Sequence, residues 1–252
     1  MKFILVFGLP ALFFGAVAML AQPAAGQFGE SDGSAFAVVE LFTSEGCSSC
    51  PPADRLLAEI VAAANESGRR VFCLSFHVDY WNHIGWRDPY SNAAFSDRQR
   101  SYAQVFESSR IYTPQMIVNG RTEFVGSNRS KVESAITSAL SEAAVVALSL
   151  NLVSSEAKEV VITYNVPELP KGAVVNFALV ERGLFQEVKR GENSGRRLPH
   201  ENVVRAFRTQ SDKSGSVALR VPAGMKLKNS SVIALVQDAS TMKVLGAETF
   251  SF

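Results

Sequence analysis

The sequence has few cysteines and almost no net charge. Only three of its 252 residues are cysteine, namely Cys47, Cys50 and Cys73, which is too few for the disulfide scaffold of a small secreted domain. The 25 lysines and arginines nearly balance the 24 aspartates and glutamates, so the formal net charge is +1. Nucleic-acid-binding proteins usually carry a basic excess, and we therefore expect no nucleic-acid partner.

After its first residues the sequence also lacks an apolar run long enough to span a bilayer. Lys2 is followed by an apolar run from Phe3 to about Ala18 and then by small residues, a pattern typical of a secretory signal peptide. We assign this signal to residues 1–25, and an uncleaved anchor is the alternative. Three cleavage positions fit: after Ala18, Ala21 or Ala25. The protein is predicted to be exported, periplasmic or secreted, with no stable membrane insertion after cleavage.

Residues 36–144 alternate between strand and helix signals. Short apolar runs at Phe36–Ser44 and Val71–Trp81 are typical of buried strands, and the apolar positions between them recur at helical spacing until Gly68. A second helix, two short strands joined by a turn and a closing helix follow. This order predicts an α/β domain with a mixed sheet and flanking helices.

The pattern changes at about residue 145. Eight short apolar runs follow, several of them alternating, and Gly, Pro, Asn and Ser separate them. Such spacing is typical of an all-β sandwich. We therefore predict a second, sandwich-like domain over residues 145–252.

Cys47 and Cys50 form a C-x-x-C motif between the first predicted strand and the first predicted helix. The unpaired N–H groups and the dipole at a helix N-terminus stabilise a thiolate. We predict that Cys47 is the exposed attacking thiol and Cys50 the resolving thiol, and that the two form a reversible disulfide. This chemistry requires no cofactor, and its partners would be protein thiols and disulfides together with an unidentified redox partner.

The first part of the chain resembles the thioredoxin fold. The resemblance covers about Phe36–Ala143 and depends on FTSEGCSSC after a strand and on Thr113–Pro114 at the start of a later strand. It implies that Pro114 is a cis-proline facing the cysteines. It also implies that the backbone of Thr113 pairs with the substrate chain.

A closer resemblance covers nearly the whole chain after the signal peptide. The motifs VELFTSEGCSSCPPAD, HVDYWNHIGWRDPYS, RQRSYA, TPQMIVNG and GENSGRRLPHENVVR occur in order. They are similar to those of DUF1223, a family of exported bacterial proteins. The resemblance implies a thioredoxin-like N-terminal part and a β-rich C-terminal part, and it implies no substrate.

Several positions differ from ordinary thioredoxins. Gly46 stands where a Trp is familiar, and the buried strand acid is replaced by Leu41, with Glu40 one residue earlier. Glu40 is therefore a candidate proton acceptor for Cys50. Pairing with a nearby cation is the preferred interpretation, because an unpaired buried acid is costly.

His77 and Asp79 follow the second predicted strand, whose end is expected beside the cysteines. A histidine there stabilises a thiolate or, with Cys47 and Cys50, binds copper or zinc. The preferred alternative is structural, with His77 a hydrogen-bonded core residue and Asp79 a turn former.

Three further features receive an interpretation. Trp81 and Trp86 are candidates for an apolar substrate groove, Arg98 is expected in a solvated salt bridge, and Cys73 is expected to be a buried, inert thiol. Residues 191–205 either contact the first domain, bind a partner or form a structured connection, and the last is preferred.

The residues thus favour an exported thioredoxin-like thiol–disulfide oxidoreductase. Two alternatives from other classes stay open. One is a copper or zinc delivery protein that uses Cys47, Cys50 and His77. The other is a non-catalytic interaction protein in which Cys47 and Cys50 form a structural disulfide.

Overall fold

The computed structural model describes residues 1–2, 29–30 and 33–252. The predicted signal peptide therefore lies, except for its first two residues, outside the described part of the chain. Within that part, no helix combines the length and the apolar character needed to cross a bilayer.

The first part of the chain alternates strands with three helices. In order, the elements are β1 (Gly29–Glu30), β2 (Ala37–Thr43), α1 (Pro51–Ser67), β3 (Val71–His77), α2 (Ala93–Val105), β4 (Gln115–Val118), β5 (Thr122–Val125) and α3 (Arg129–Ala139). Pro51 and Pro52 occupy the first turn of α1, where missing N–H groups cost little. The helix ends at Gly68, whose φ of 66° places it in the left-handed region.

In the rest of the described chain the regular elements are strands, apart from one short 3-10 helix at Leu227–Asn229. Its elements are β6 (Ser149–Ser155), β7 (Glu159–Asn165), β8 (Ala173–Glu181), β9 (Leu184–Glu187), β10 (Arg197–His200), β11 (Val203–Gln210), β12 (Ser214–Arg220), β13 (Ser230–Asp238) and β14 (Val244–Ser251).

These elements form a mixed α/β fold with three sheets. The largest sheet has eight strands in the order β14-β13-β8-β11-β3-β2-β4-β5. In it β2 and β3 are parallel, whereas β4 is antiparallel to both β2 and β5. A second sheet has the order β1-β6-β7-β12, and β9 and β10 form a separate hairpin. None of these described sheets closes into a barrel.

The large sheet continues across the change of pattern at residue 145. Strand β11 pairs with β3 in parallel, with Val203 opposite Ser75. The Ser75 N–H donates to the carbonyl oxygen of Asn202 at 2.9 Å, and Asn202 Nδ2 donates to the carbonyl oxygen of Cys73 at 3.0 Å. Four of the later strands thus extend the first sheet, an arrangement that the expected sandwich over 145–252 did not include. Alternation predicts which face of a strand is buried but not which strand lies beside it.

Each face of the large sheet packs against helices or the second sheet and forms an apolar core. On one face, α1 and α3 cover β2 and contact Val39 and Leu41. On the other face, α2 covers the same strand and contacts Val38 and Phe42. The second sheet packs against β8 and β13 to make a separate apolar layer. Strand β2 is therefore buried on both faces, and the loop after it leads directly to the C-x-x-C motif.

Candidate redox site

Cys47 and Cys50 lie in the turn between β2 and α1. Their Cα atoms are 5.5 Å apart, and the two sulfurs are at disulfide distance. Cys50 is the N-cap residue of α1, and its N–H donates to the carbonyl oxygen of Cys47 at 3.2 Å. Ser48 and Ser49 are exposed, whereas both cysteines are 0% exposed. The expectation that Cys47 is exposed is therefore wrong.

The loop between β9 and β10, which is distant in sequence, packs on the turn that carries Cys47. Asn193 Nδ2 donates to the carbonyl oxygen of Cys47 at 2.9 Å. The Glu192 carboxylate accepts from the Ser48 N–H at 3.0 Å. Hydrogen bonding from the Ser48 side chain, and then from its backbone, lowers the pKa of Glu192. Residues 191–205 thus contact the first part of the chain, which was the interpretation that the sequence did not favour.

The Thr113–Pro114 peptide bond is cis, as the resemblance to thioredoxins implies. The carbonyl oxygen of Thr113 is 3.9 Å from Cys47 Sγ. Trp81 Nε1 donates to Thr113 Oγ1 at 2.7 Å. Three residues that the sequence singled out are therefore brought together beside Cys47.

Glu45 is fully buried two residues before Cys47, and each of its polar groups has a partner. Its carboxylate accepts from Trp86 Nε1 at 2.7 Å and lies 3.1 Å from His200 Nε2. Its N–H donates to Asp88 at 2.9 Å, and its carbonyl oxygen accepts from Asn193 at 2.8 Å. Trp86 thus helps to fix the turn that carries the cysteines.

His77 and His200 face each other next to this turn. Their ring centroids are 4.8 Å apart, and both residues are buried. His77 Nδ1 is 2.7 Å from an Asp88 carboxylate oxygen. His77 Nε2 and His200 Nδ1 have no hydrogen-bond partner among the described residues. We call Glu45, His77, Asp88 and His200 the imidazole cluster.

Within this cluster, His77 and Asp88 each stabilise the charged form of the other. Burial alone would lower the pKa of His77, but the Asp88 carboxylate and the hydrogen bond to it outweigh burial and raise that pKa. Burial likewise opposes the ionised form of Asp88, and His77 reverses the effect and lowers the pKa of Asp88. The pair therefore favours an imidazolium beside a carboxylate. His77 is a hydrogen-bonded core residue, as the preferred interpretation has it.

Asp54 is a buried acid that the sequence did not reveal. It lies on α1 four residues after Cys50, and its N–H donates to the carbonyl oxygen of Cys50 at 3.1 Å. Side chains at this spacing share a helix face, with Cβ atoms about 5–6 Å apart. Thr43 Oγ1 donates to Asp54 Oδ1 at 2.8 Å. Burial raises the pKa of Asp54, although the charges of His200 and His77 oppose the shift.

Glu40 lies away from the cysteines, on the α2 face of the sheet. Arg98 donates to its carboxylate from Nε at 2.6 Å and from Nη2 at 3.0 Å. The hydroxyl of Tyr102 also donates to it, and Gln237 Nε2 donates to that hydroxyl at 2.8 Å. We call Glu40, Arg98, Tyr102 and Gln237 the Arg98 network. The preferred interpretation of Glu40 as the partner of a cation agrees with this contact, whereas the expected solvated salt bridge for Arg98 is wrong.

Two other candidates also lie outside the site. Ser96 Oγ donates to Asp79 Oδ1 at 2.5 Å and accepts from the Asp79 N–H at 3.1 Å, which ties the end of β3 to α2. Cys73 is buried in the interior of β3, and burial raises the pKa of its thiol to about 12. A thiol with that pKa is neutral at physiological pH and therefore unreactive.

The described residues provide no set of ligands for the alternative in which Cys47, Cys50 and His77 bind copper or zinc. In the part of the chain that the structure describes, no group of three or more His, Cys, Asp or Glu side chains is arranged to hold a metal ion. Cys47 and Cys50 are paired with each other, and His77 Nδ1 is occupied by Asp88.

Known proteins provide a context for this geometry. The chain is similar over 88% of its length to protein AGR_C_4864 of Agrobacterium tumefaciens, with 28% identity, 96% of that chain covered and a TM-score of 0.63. A domain of the outer membrane lipoprotein Omp28 of Porphyromonas gingivalis aligns with 43% of the chain and 88% of its own, at 16% identity and a TM-score of 0.25. No curated protein matches the chain.

A family described as "Protein of unknown function (DUF1223)" matches residues 38–237. This match includes both cysteines, the imidazole cluster and the loop that covers them. The chain therefore belongs to the DUF1223 family.

Proposed function

We propose that the protein is an exported thioredoxin-like thiol–disulfide oxidoreductase that acts through Cys47 and Cys50. The observation that carries this proposal is the C-x-x-C pair at disulfide distance at the start of α1, with the carbonyl oxygen of Thr113 3.9 Å from Cys47 Sγ. The strand order β3-β2-β4-β5, with β2 and β3 parallel, further supports a thioredoxin-like arrangement. The signal-peptide pattern of residues 1–25 supports a periplasmic or secreted location.

The reaction is a pair of thiol–disulfide exchanges. The Cys47 thiolate attacks a substrate disulfide, so that a Cys47–substrate bond forms, the substrate bond breaks and one substrate thiolate leaves. Cys50 then gives its proton to Asp54, the buried acid on the same helix face, and attacks the Cys47 sulfur. The Cys47–Cys50 bond forms and the second substrate thiolate leaves. The substrate is reduced and the cysteine pair is oxidised, and the same steps in reverse oxidise a dithiol.

Neighbouring groups have distinct parts in this reaction. The N-terminus of α1 stabilises the thiolate, and Ser49 Oγ lies 3.3 Å from Cys47 Sγ, within reach to donate a hydrogen bond to the reduced sulfur. Thr113 and Pro114 present backbone to the substrate chain. Trp81 and Trp86, both half-buried, flank the cysteine turn and offer apolar surface to the substrate chain. The partners are protein thiols and disulfides, and no step needs a cofactor.

The test is a reduction potential combined with trapping. The Cys47–Cys50 couple is equilibrated with glutathione, and its thiols are counted after alkylation. We expect a potential between about −120 and −270 mV, the span of known exchange proteins. The Cys50→Ala variant should then accumulate mixed disulfides through Cys47. A couple with no exchange activity and no trapped species in that variant would overturn the proposal.

The burial of the two cysteines favours a second candidate, a non-catalytic protein with a structural disulfide. Both are 0% exposed, whereas exchange requires access to Cys47 Sγ. For the first proposal to hold, the loop around Asn193 must move away from the turn. A potential below about −300 mV would favour the structural disulfide.

A further inference from the structure

The hairpin that covers the cysteine turn carries an unusual outer face. Four of its residues are exposed cations: Lys189, Arg190, Arg196 and Arg197. Among residues 33–252, none of the four forms an ion pair with a carboxylate. Against them the hairpin offers two exposed acids, Glu187 and Glu192, and Glu192 is bound to the Ser48 N–H. An excess of unpaired positive charge is thus concentrated here in a chain of net charge +1.

The same face exposes an aromatic ring. Phe185 is 56% exposed, and the guanidinium of Arg197 lies 4.4 Å from its ring centroid. A stacked arginine is preorganised for bidentate contact with a carboxylate. Aromatic and arginine side chains are also the residues that contribute most to protein–protein binding. We call Phe185 and the four cations the basic hairpin face.

The basic hairpin face is linked directly to the redox site. Between Arg190 and Arg196 the loop places Asn193 on the carbonyl oxygens of Glu45 and Cys47. Gly191 packs on Trp86, where a Cβ atom would lie 3.2 Å from the Trp86 Cβ. A polypeptide that binds this face therefore contacts the loop that packs on the cysteine turn.

We propose that the basic hairpin face docks the protein partner of the redox pair, and that this partner carries aspartates or glutamates close to its reactive cysteine. This inference rests on the proposed oxidoreductase function. Charge complementarity selects the partner, because unpaired arginines and a lysine favour carboxylates and speed up the encounter. A polypeptide fits better than a lipid surface, because the face borders a site that reacts with protein sulfur.

The experiment compares two synthetic peptides that differ only in charge. Each contains one cysteine as a mixed disulfide with glutathione, flanked by three glutamates or by three lysines. With the protein in its reduced form, we expect the second-order rate constant of exchange to be at least about tenfold higher for the glutamate peptide than for the lysine peptide at low salt, with the preference falling as salt screens the charges. In K189E/R190E the ratio of the two rates should invert. In the matched control K158E/K171E, which changes two exposed lysines elsewhere, the ratio should stay as in the unchanged protein.

A binding measurement separates this inference from the proposed reaction. The same peptides with serine in place of cysteine cannot exchange, and their binding is followed by fluorescence anisotropy. Tighter binding of the glutamate peptide, lost in K189E/R190E, would support docking even if no exchange occurred with either peptide. Equal binding and equal rates for both peptides would overturn the proposal. So would binding to phosphatidylserine vesicles that K189E/R190E abolishes without any peptide preference, since the face would then serve a membrane surface.

Discussion

The two faces of the large sheet each bury a group of charged and polar side chains, and the two groups differ in one respect. The Arg98 network lies under α2, and no buried polar atom within it lacks a hydrogen-bond partner in the described structure. The imidazole cluster lies beside the start of α1, and it keeps two unpartnered imidazole nitrogens, His77 Nε2 and His200 Nδ1. Both join the earlier and later parts of the chain, through Gln237 in one case and His200 in the other.

This difference suggests a division of roles. A buried network with every partner in place fixes a fold, whereas unsatisfied groups in a buried site need an explanation such as a catalytic role. The cluster with spare nitrogens is also the one whose member Glu45 lies two residues before Cys47. We therefore assign the Arg98 network to stability and expect the imidazole cluster to influence the cysteine pair as well.

The largest expected effect is on the Arg98 network. Replacing Arg98 by methionine leaves Glu40 buried without its cation, and we expect the free energy of unfolding to fall by about 3–5 kcal/mol. The measurement is urea denaturation followed by circular dichroism. Removing both charges in E40Q/R98M should restore a large part of the loss, because no unpaired charge is then buried.

Arg100 provides a matched control for this change. It lies on the same helix, its side chain is 52% exposed, and it pairs with the exposed Asp97. R100M should change the free energy of unfolding by less than about 0.5 kcal/mol. If R98M were equally mild, the Arg98 network would not have the structural role assigned to it.

The second effect concerns Asp88, and it depends on pH. In D88N the protonated His77 loses its carboxylate partner, and we expect the free energy of unfolding to fall by about 3 kcal/mol. The raised pKa of His77 means that its contribution is complete below the ordinary value of 6.5 and is lost as the pH rises through the raised value. The lowered pKa of Asp88 means that its contribution is complete above 3.8 and is lost as the pH falls through the lowered value.

The stabilising pair is thus strongest between pH 3.8 and 6.5. Urea denaturation at pH 5.5 and pH 9 should show a larger difference between D88N and the unchanged protein at the lower pH. The exposed acid Asp97 on α2, with a side chain 70% exposed, serves as the control in D97N. A difference that is independent of pH would contradict the assignment of a charged His77.

The third effect is on the cysteine pair itself. Reduction of Cys47–Cys50 with dithiothreitol should lower the free energy of unfolding by about 2 kcal/mol, because a disulfide that closes so short a loop constrains the unfolded chain only modestly. The C73S variant should lose the same amount on reduction, since Cys73 is the free cysteine of the described chain. A loss several times larger would favour a structural disulfide over a redox pair.

The sequence predicted the local parts of this site well. A strand, a C-x-x-C motif and a helix follow one another within about thirty residues, so apolar spacing and the two prolines are enough to place them. The cis bond before Pro114 follows from the resemblance to thioredoxins and is present. These features depend on residues that are close in the chain.

The imidazole cluster could not be predicted in the same way. Glu45, Asp88 and His200 come from three separate segments, and His200 lies in what the sequence presented as another domain. They meet because β11 pairs with β3, a long-range choice that alternation of apolar residues does not encode. The prediction that Cys47 is exposed was wrong for the same reason, since the loop that packs on its turn is distant in sequence. The signal that was present is that all three residues lie within the motifs shared with the family.

The smallest expected effect on stability is that of Asn193, which distinguishes a redox pair from a structural one. Its side chain donates to the carbonyl oxygens of Glu45 and Cys47, and N193A should lower the free energy of unfolding by only about 1–2 kcal/mol. The same change should increase the rate at which iodoacetamide alkylates reduced Cys47 several-fold, because the loop that shields the sulfur is no longer held to it.

The neighbouring Ser194 is exposed, and within the loop its hydroxyl donates to the carbonyl oxygen of Lys189 and its N–H to that of Gly191. S194A should therefore leave the alkylation rate unchanged. If N193A also left it unchanged while lowering stability, the loop would not control access to Cys47, and its contact with the turn would be purely structural. If the rate rises in N193A alone, the loop is a movable cover, and the burial of Cys47 is compatible with exchange. The covering loop joins β9 to β10, outside the α/β part that holds the cysteines, so access to the redox pair would then be controlled by the later half of the chain.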